Sequence, residues 1–134
     1  MTKSPEFLDR PARVLIVDDE PNNRQLLEVM LASEGYVLET AASGEAALAS
    51  VALQPPDLIL LDVMMPGMDG YIVATRLKRN PETQDILIVF LTALDDRNSR
   101  MHGMSTGADG YITKPIDLAD LRARVKAVLG SRVR

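Results

Sequence analysis

Apolar residues in this chain alternate between short unbroken runs and helically spaced sets. Val14-Leu15-Ile16-Val17 form a continuous run, as a strand buried on both faces requires. Leu26, Leu27, Met30 and Leu31 then recur at helical spacing, and Gly35 follows as a C′ stop. Tyr36 to Thr40 alternates and predicts a second strand. Ser43 is a candidate N-cap for a short alanine-rich helix that ends before Pro55-Pro56. Residues 57–61 predict a third strand. A turn with Pro66, Gly67 and Gly70 leads into a helix carrying Ile72, Ala74 and Leu77, which Asn80-Pro81 breaks. Residues 86–91 predict a fourth strand, followed by a weaker helix of about ten residues. Ala108 to Thr113 predicts a fifth strand. Asp117 then caps a last helix with Leu118, Leu121, Val125, Val128 and Leu129 on one face.

Five strand-then-helix units in series imply an α/β fold, a doubly wound five-stranded parallel sheet with five helices on its faces. Right-handed crossovers leave few topologies, and the flavodoxin-like order 2-1-3-4-5 is the natural one. Four of the runs stop on polar residues: Asp18 and Asp19, Asp62, Thr92, and Lys114. The carboxyl ends of parallel strands share one edge, where open α/β sheets bind ligands. In this order the switch point lies between strands one and three, so polar ends belong on strands one, three, four and five. Strand two ends in Thr40-Ala41-Ala42, without charge.

At 134 residues the chain suits one domain. Residues 1–12, with Pro5 and Pro11, are expected to form a flexible N-terminal leader, residues 13–130 the domain, and residues 131–134 a C-terminal tail. A formal net charge of -4 gives no basic surface overall and disfavours direct nucleic-acid binding. The absence of cysteine excludes disulfides, thiolate metal sites and cysteine nucleophiles. The longest apolar run falls far short of the roughly 18 residues of a membrane helix. Met1-Thr2-Lys3-Ser4-Pro5 lacks the apolar core of a secretory signal. A cytoplasmic protein without membrane association is the expectation.

An acidic pair before a helix, taken alone, is more often an N-cap and a favourable charge at the helix dipole. Asp62 alone could likewise be a turn residue. The fold changes this by bringing Asp18, Asp19 and Asp62 close together. Two like charges about 4 Å apart repel by about 4 kcal/mol at an effective dielectric of about 20. Three such charges need a proton or a cation. An oxygen-rich site with open positions suits Mg²⁺, which keeps waters and accepts phosphate oxygens; calcium wants more ligands than are evident here. The metal would also allow an anionic phosphate donor to approach the acids. A carboxylate can then act as nucleophile and form an aspartyl-phosphate. Asp62 is the best candidate, with Thr92 donating to one phosphoryl oxygen and Lys114 pairing with another. Lys114-Pro115 favours an extended backbone that continues the strand and aims the lysine along the acidic edge.

These residues resemble the receiver domain of bacterial two-component response regulators, of the chemotaxis-regulator kind. The likeness runs from about Arg13 to Leu129. It rests on Val-Asp-Asp-Glu (17–20), Leu-Leu-Asp-Val-Met-Met-Pro-Gly-Met-Asp-Gly (60–70), Leu-Thr-Ala (91–93) and Gly-Ala-Asp-Gly-Tyr-Ile-Thr-Lys-Pro (107–115). Chemotaxis receivers share the strand order inferred above, so topology and family are not independent arguments. The resemblance implies that Asp62 accepts a phosphoryl group from a phosphohistidine on a sensor histidine kinase or histidine phosphotransfer protein. It implies Mg²⁺, with Mn²⁺ as the alternative ion, bound directly by Asp19 and Asp62, through water by Asp18, and by the backbone carbonyl of Met64. It makes Thr92 the switch hydroxyl, Tyr111 the aromatic switch, Lys114 the phosphate-pairing ammonium, and Lys114-Pro115 a cis peptide. Such a domain is a phosphoacceptor that catalyses only its own phosphorylation and dephosphorylation.

Met64 and Leu94 stand two residues after Asp62 and Thr92, where some relatives carry polar groups that tune attack of water. Slow self-dephosphorylation is therefore expected. The switching surface should be helix four, strand five and helix five, roughly residues 95–129. It would serve a downstream protein, an output domain, or a phosphorylation-dependent homodimer. Arg122, Arg124 and Lys126 make a basic stripe on helix five, while His102 falls in helix four as an exposed side chain outside the metal set. Two other readings are a haloacid-dehalogenase-type phosphatase and a flavodoxin-like flavin-binding module. The first wants an Asp where Met64 stands and a cap or extra length. The second wants hydroxyl and glycine groups where Asp18-Asp19-Glu20 stands.

Overall fold

In the computed structural model the described residues are 10–93 and 97–131, with the side chains of 97–100 left aside. Residues 1–9 of the expected leader, Leu94, and residues 132–134 of the expected tail lie outside them. The strands are β1 (Arg13–Val17), β2 (Val37–Ala41), β3 (Leu58–Asp62), β4 (Leu87–Thr92) and β5 (Gly110–Thr113). The helices are α1 (Pro21–Leu31), α2 (Gly44–Leu53), α3 (Gly70–Arg79), α4 (Arg97–Ser105) and α5 (Leu118–Gly130). All strand pairs are parallel, in the order β2-β1-β3-β4-β5.

The unbroken apolar runs have the cause expected of them: every residue of β3 and β4 is buried. Side chains alternate across the sheet. Leu15, Val17, Ile59, Leu61, Ile88 and Phe90 therefore join Ala47 and Val51 of α2 and Val73, Ala74 and Leu77 of α3 in one core. Val14, Ile16, Leu58, Leu60, Val89 and Leu91 face the other way, onto Leu27 and Leu31 of α1 and Leu121, Val125, Val128 and Leu129 of α5.

Local chemistry sets the helix ends. Ser43 Oγ accepts the Ala46 N–H at 3.0 Å, and Asp117 Oδ2 accepts the Asp120 N–H at 2.9 Å. α1 stops at Leu31, and a 3₁₀ turn (Ala32–Glu34) delays the left-handed residue to Gly35, at φ 85°. Strand bounds shift by a residue or two from the sequence expectation. Ile86 is still engaged in a turn bond to Thr83, and Asp109 caps β4 by accepting the Ile88 N–H at 2.8 Å.

Helical spacing overstated burial at three positions: Leu26, Ile72 and Leu118 are exposed. Each lies at the margin of its apolar stripe, where the sheet no longer covers the helix. Three residues of the expected leader lie within the described part. Arg10 grips the buried Asp57 with two hydrogen bonds of 2.8 and 3.0 Å, Ala12 is buried, and the Ala12 carbonyl accepts from Val37. Residues 10–12 are thus tied to the sheet. At the other end Ser131 caps α5, its hydroxyl donating to the Val128 carbonyl at 2.6 Å.

Candidate functional site

Val17 lies in register with Leu61, so the residues that follow β1 emerge beside Asp62. Asp18, Asp19 and Asp62 each offer a carboxylate oxygen within 4.8 Å of the others. Asp18 is fully buried, Asp62 is buried and Asp19 is half-buried. Asp18 Oδ1 accepts the Glu20 N–H at 2.9 Å, which is the capping-type bond an acidic pair makes before a helix. Its Oδ2 is buried and has no hydrogen-bond partner among the described residues. Buried polar atoms are normally satisfied. This one faces a cluster of hard oxygen donors, and that donor set fits a small divalent cation such as Mg²⁺.

Lys114 brings an ammonium group to the acids. Its Nζ donates to Asp62 Oδ1 at 2.9 Å and lies 3.6 Å from Asp18 Oδ2. Its backbone is tied to the end of β4. Its N–H donates to the Thr92 carbonyl at 2.7 Å, and its bond to Pro115 is cis. Thr92 is buried at the end of β4, opposite Thr113 of β5. Tyr111 is half-buried against the core shared with α2 and α3. The Met64 side chain is 65% exposed in the loop after Asp62.

Burial raises the Asp62 pKa, and the charges of Asp18 and Asp19 push the same way against the hydrogen bond and charge of Lys114. Burial alone would lower the Lys114 pKa. The hydrogen bond and charge of Asp62, with the charge of Asp18, outweigh it and raise the value. One ammonium facing three carboxylates leaves an excess of negative charge, which is the condition for cation binding.

Three supporting residues escaped the sequence reading. Arg24 reaches back from α1 to donate to the Asp18 carbonyl at 2.8 Å, bracing the acidic loop. Asp69 caps α3 by accepting the Ile72 N–H at 3.0 Å; an Asp three residues before the apolar stripe was the available signal. Gly70 packs so closely on β3 that an added Cβ would meet the Asp62 carbonyl oxygen and the Val63 Cα. No sequence pattern reveals that contact. His102 lies away from the acids, against the Tyr71 ring with centroids 4.4 Å apart. Arg122 is not a free member of a basic stripe, because it pairs with Glu34 at 3.1 Å. Arg124 and Lys126 are exposed.

In comparison with known proteins, residues 14–126 match the family described as response regulator receiver domain. The chain belongs to that family. The receiver is 50% identical over 117 residues to response regulator PleD of Caulobacter vibrioides, covering 87% of this chain and 26% of PleD. It is 46% identical over 116 residues to the phosphate regulon transcriptional regulatory protein PhoB of Pseudomonas aeruginosa, covering 87% of this chain and 51% of PhoB. Among solved structures, chemotaxis protein CheY4 of Vibrio cholerae superposes with a TM-score of 0.83 at 32% identity, over 88% of this chain and 98% of CheY4. The receiver thus spans a quarter to a half of these two regulators but nearly all of CheY4. It is a signalling domain of the two-component kind. No helix among the described residues is long and apolar enough to cross a membrane.

Proposed function

We propose that this receiver accepts a phosphoryl group on Asp62 from a phosphohistidine of a sensor histidine kinase or histidine phosphotransfer protein. The observation that carries the proposal is the meeting of Asp18, Asp19 and Asp62 within 4.8 Å, with Lys114 bonded to Asp62. An Asp62 carboxylate oxygen attacks phosphorus, forming an O–P bond as the N–P bond breaks. The electron pair returns to the donor imidazole, which takes up a proton. The product is a mixed anhydride on the edge of the sheet.

Asp18, Asp19, Asp62 and the Met64 carbonyl are the groups proposed to hold Mg²⁺, with Mn²⁺ as the alternative ion. The ion supplies charge neutralisation for the incoming phosphoryl oxygens. Lys114 is already partnered with Asp62 and can transfer its ammonium to a phosphoryl oxygen once anhydride formation removes the carboxylate charge. Thr92 supplies a hydroxyl from the end of β4. Its inward pull, followed by Tyr111, would select one arrangement of α4, β5 and α5 for a downstream protein, an output domain or a second receiver. The same residues carry hydrolysis of the anhydride, in which water attacks phosphorus, the O–P bond to Asp62 breaks, and inorganic phosphate leaves.

Phosphotransfer from a labelled histidine kinase or phosphotransfer protein tests this. Stable label on the wild type, lost in Asp62→Ala and lost on chelation, is the expected result. Turnover of phosphomonoesters or tight flavin binding would overturn it.

A further inference from the structure

The groove between α3 and α4 lies on the sheet face opposite α1 and α5 and takes no part in the chemistry above. Asp69, Tyr71, Ile72, Thr75, Arg76, Arg79 and His102 line one stretch of it, about 410 Å³ in volume. A second stretch of about 700 Å³ continues past Thr75, Arg79 and His102 toward Ser105 and Gly107. The two share a wall, so the groove is long and shallow, a shape suited to a peptide segment more than to a compact small molecule.

Its chemistry is uneven. Ile72 is 41% exposed and Tyr71 half-buried, giving an apolar strip. Arg76 and Arg79, three residues apart on α3, stand on one side of the helix. Both are exposed, and neither makes a hydrogen bond or ion pair among the described residues. Lys78 differs. Its Nζ is consumed by the Gln84 and Ile86 carbonyls at 3.1 and 2.7 Å and by Asp109 at 3.3 Å. Two acids line the groove: Asp69, at its upper end, spends an oxygen on its cap, and the exposed Asp85 stands in the second stretch with Arg79. Among the described residues, two uncommitted guanidinium groups therefore set the charge of the stretch along Tyr71 and Ile72, in a chain whose formal net charge is -4.

The opposite wall is held firmly. Gly103 lets α4 approach until an added Cβ would come within 3.2 Å of the Phe90 ring and 3.3 Å of Tyr71. Tyr71 stands edge-on to both Phe90 and His102, with centroids 5.2 and 4.4 Å apart. An occupant would meet a largely pre-formed surface, which lowers the ordering cost of binding.

We infer that the α3–α4 groove is a docking site for an acidic amphipathic peptide segment of a partner protein. Carboxylates one helical turn apart would pair with Arg76 and Arg79, and an apolar side chain between them would cover Ile72 and Tyr71. Charge complementarity selects this occupant: a basic or neutral segment leaves both guanidinium groups unpaired. α3 starts where the Asp62 loop ends and α4 follows Thr92, so both walls lie within reach of any rearrangement at the site.

A fluorescein-labelled synthetic peptide with glutamates on one helical face and leucines on the other provides the probe, read by anisotropy on the full chain. Saturable binding is expected, weakened about tenfold when glutamine replaces each glutamate and about tenfold in Arg76→Glu/Arg79→Glu, with amide shifts confined to α3 and α4. Arg76→Gln/Arg79→Gln serves if the charge reversal disturbs folding. The inference is overturned by no saturable binding, by equal affinity for both peptides, or by wild-type affinity in the arginine variants. Shifts on the Arg124 and Lys126 face of α5 would overturn it too. Displacement by millimolar inorganic phosphate would mark a small-anion site and overturn it equally.

Discussion

Lys114 Nζ donates to Asp62 Oδ1 at 2.9 Å, joining the end of β5 to the end of β3 across the intervening β4. The bond couples a buried carboxylate to a cation on the element expected to move. It partly neutralises Asp62 but leaves Asp18 Oδ2 without a hydrogen bond. From that imbalance come consequences for stability as well as for chemistry.

Asp62→Asn should stabilise the metal-free fold near neutral pH. The Asp62 pKa is raised from 3.8 chiefly by burial, so the folded state prefers the protonated form. Stability is highest below the unfolded value, falls as pH rises through the folded value, and stays reduced above it. The Asn amide oxygen can still accept from Lys114. In EDTA the variant's Tm advantage should grow as pH rises from about 4 and then level off, each kcal/mol moving Tm by about 3–5 °C. An advantage that instead grew toward acid pH would contradict the burial argument.

Mg²⁺ should raise the Tm of the wild type. A ligand that binds only the folded state stabilises it by about 2.7 kcal/mol at 100 times its Kd. Asp19→Asn should lose most of that gain while keeping the fold, since Asp19 is half-buried. Calorimetry with and without chelator reads both quantities, and an equal Mg²⁺ effect in the variant would remove Asp19 from the cation site.

Gly70→Ala should destabilise the domain by about 1–3 kcal/mol, the usual scale for overpacking. The new methyl group would meet backbone atoms of Asp62 and Val63, which cannot swing aside as a side chain could. Urea unfolding measures the loss. The Asp62 loop should be displaced as well, so phosphorylation should slow more than the stability change explains.

Asp57→Ala should cost about 2–3 kcal/mol by leaving buried groups unpaired. Asp57 Oδ2 accepts the Arg13 N–H at 2.7 Å and, with Oδ1, holds the Arg10 guanidinium. Arg10→Ala removes only the exposed partner and should cost less. Denaturation of the two variants gives the ranking directly, and a reversed order would refute it.

Once phosphorylated, the wild type should lose its label slowly, and Met64→Asn should speed the loss. Met64 is 65% exposed beside the acceptor loop and offers no polar group to orient an attacking water. Label decay after removal of the donor is the measurement. Fast decay in the wild type, unchanged in the variant, would contradict this role.

The β-strands were legible because parallel strands buried on both faces must be apolar throughout, as β3 and β4 are. Ser43 and Asp117 were legible as caps because capping is local chemistry between residues three apart. The acids and Lys114 could be gathered at one edge by counting where the runs stopped. Leu26, Ile72 and Leu118 fit the helical spacing, yet they lie beyond what the sheet covers.

Residue order thus determined the strands and the meeting of Asp18, Asp19, Asp62 and Lys114, and together with the family resemblance the strand order, since periodicity and strand ends are written along the chain. Only the tertiary structure decided the Arg10–Asp57 clasp, the Arg122–Glu34 pair, the seat of Gly70 on Asp62 and, among the described residues, the uncommitted state of Arg76 and Arg79. Those depend on distances between segments far apart in sequence, or on how much of a charge its neighbours have already used. Neither quantity has a local signature.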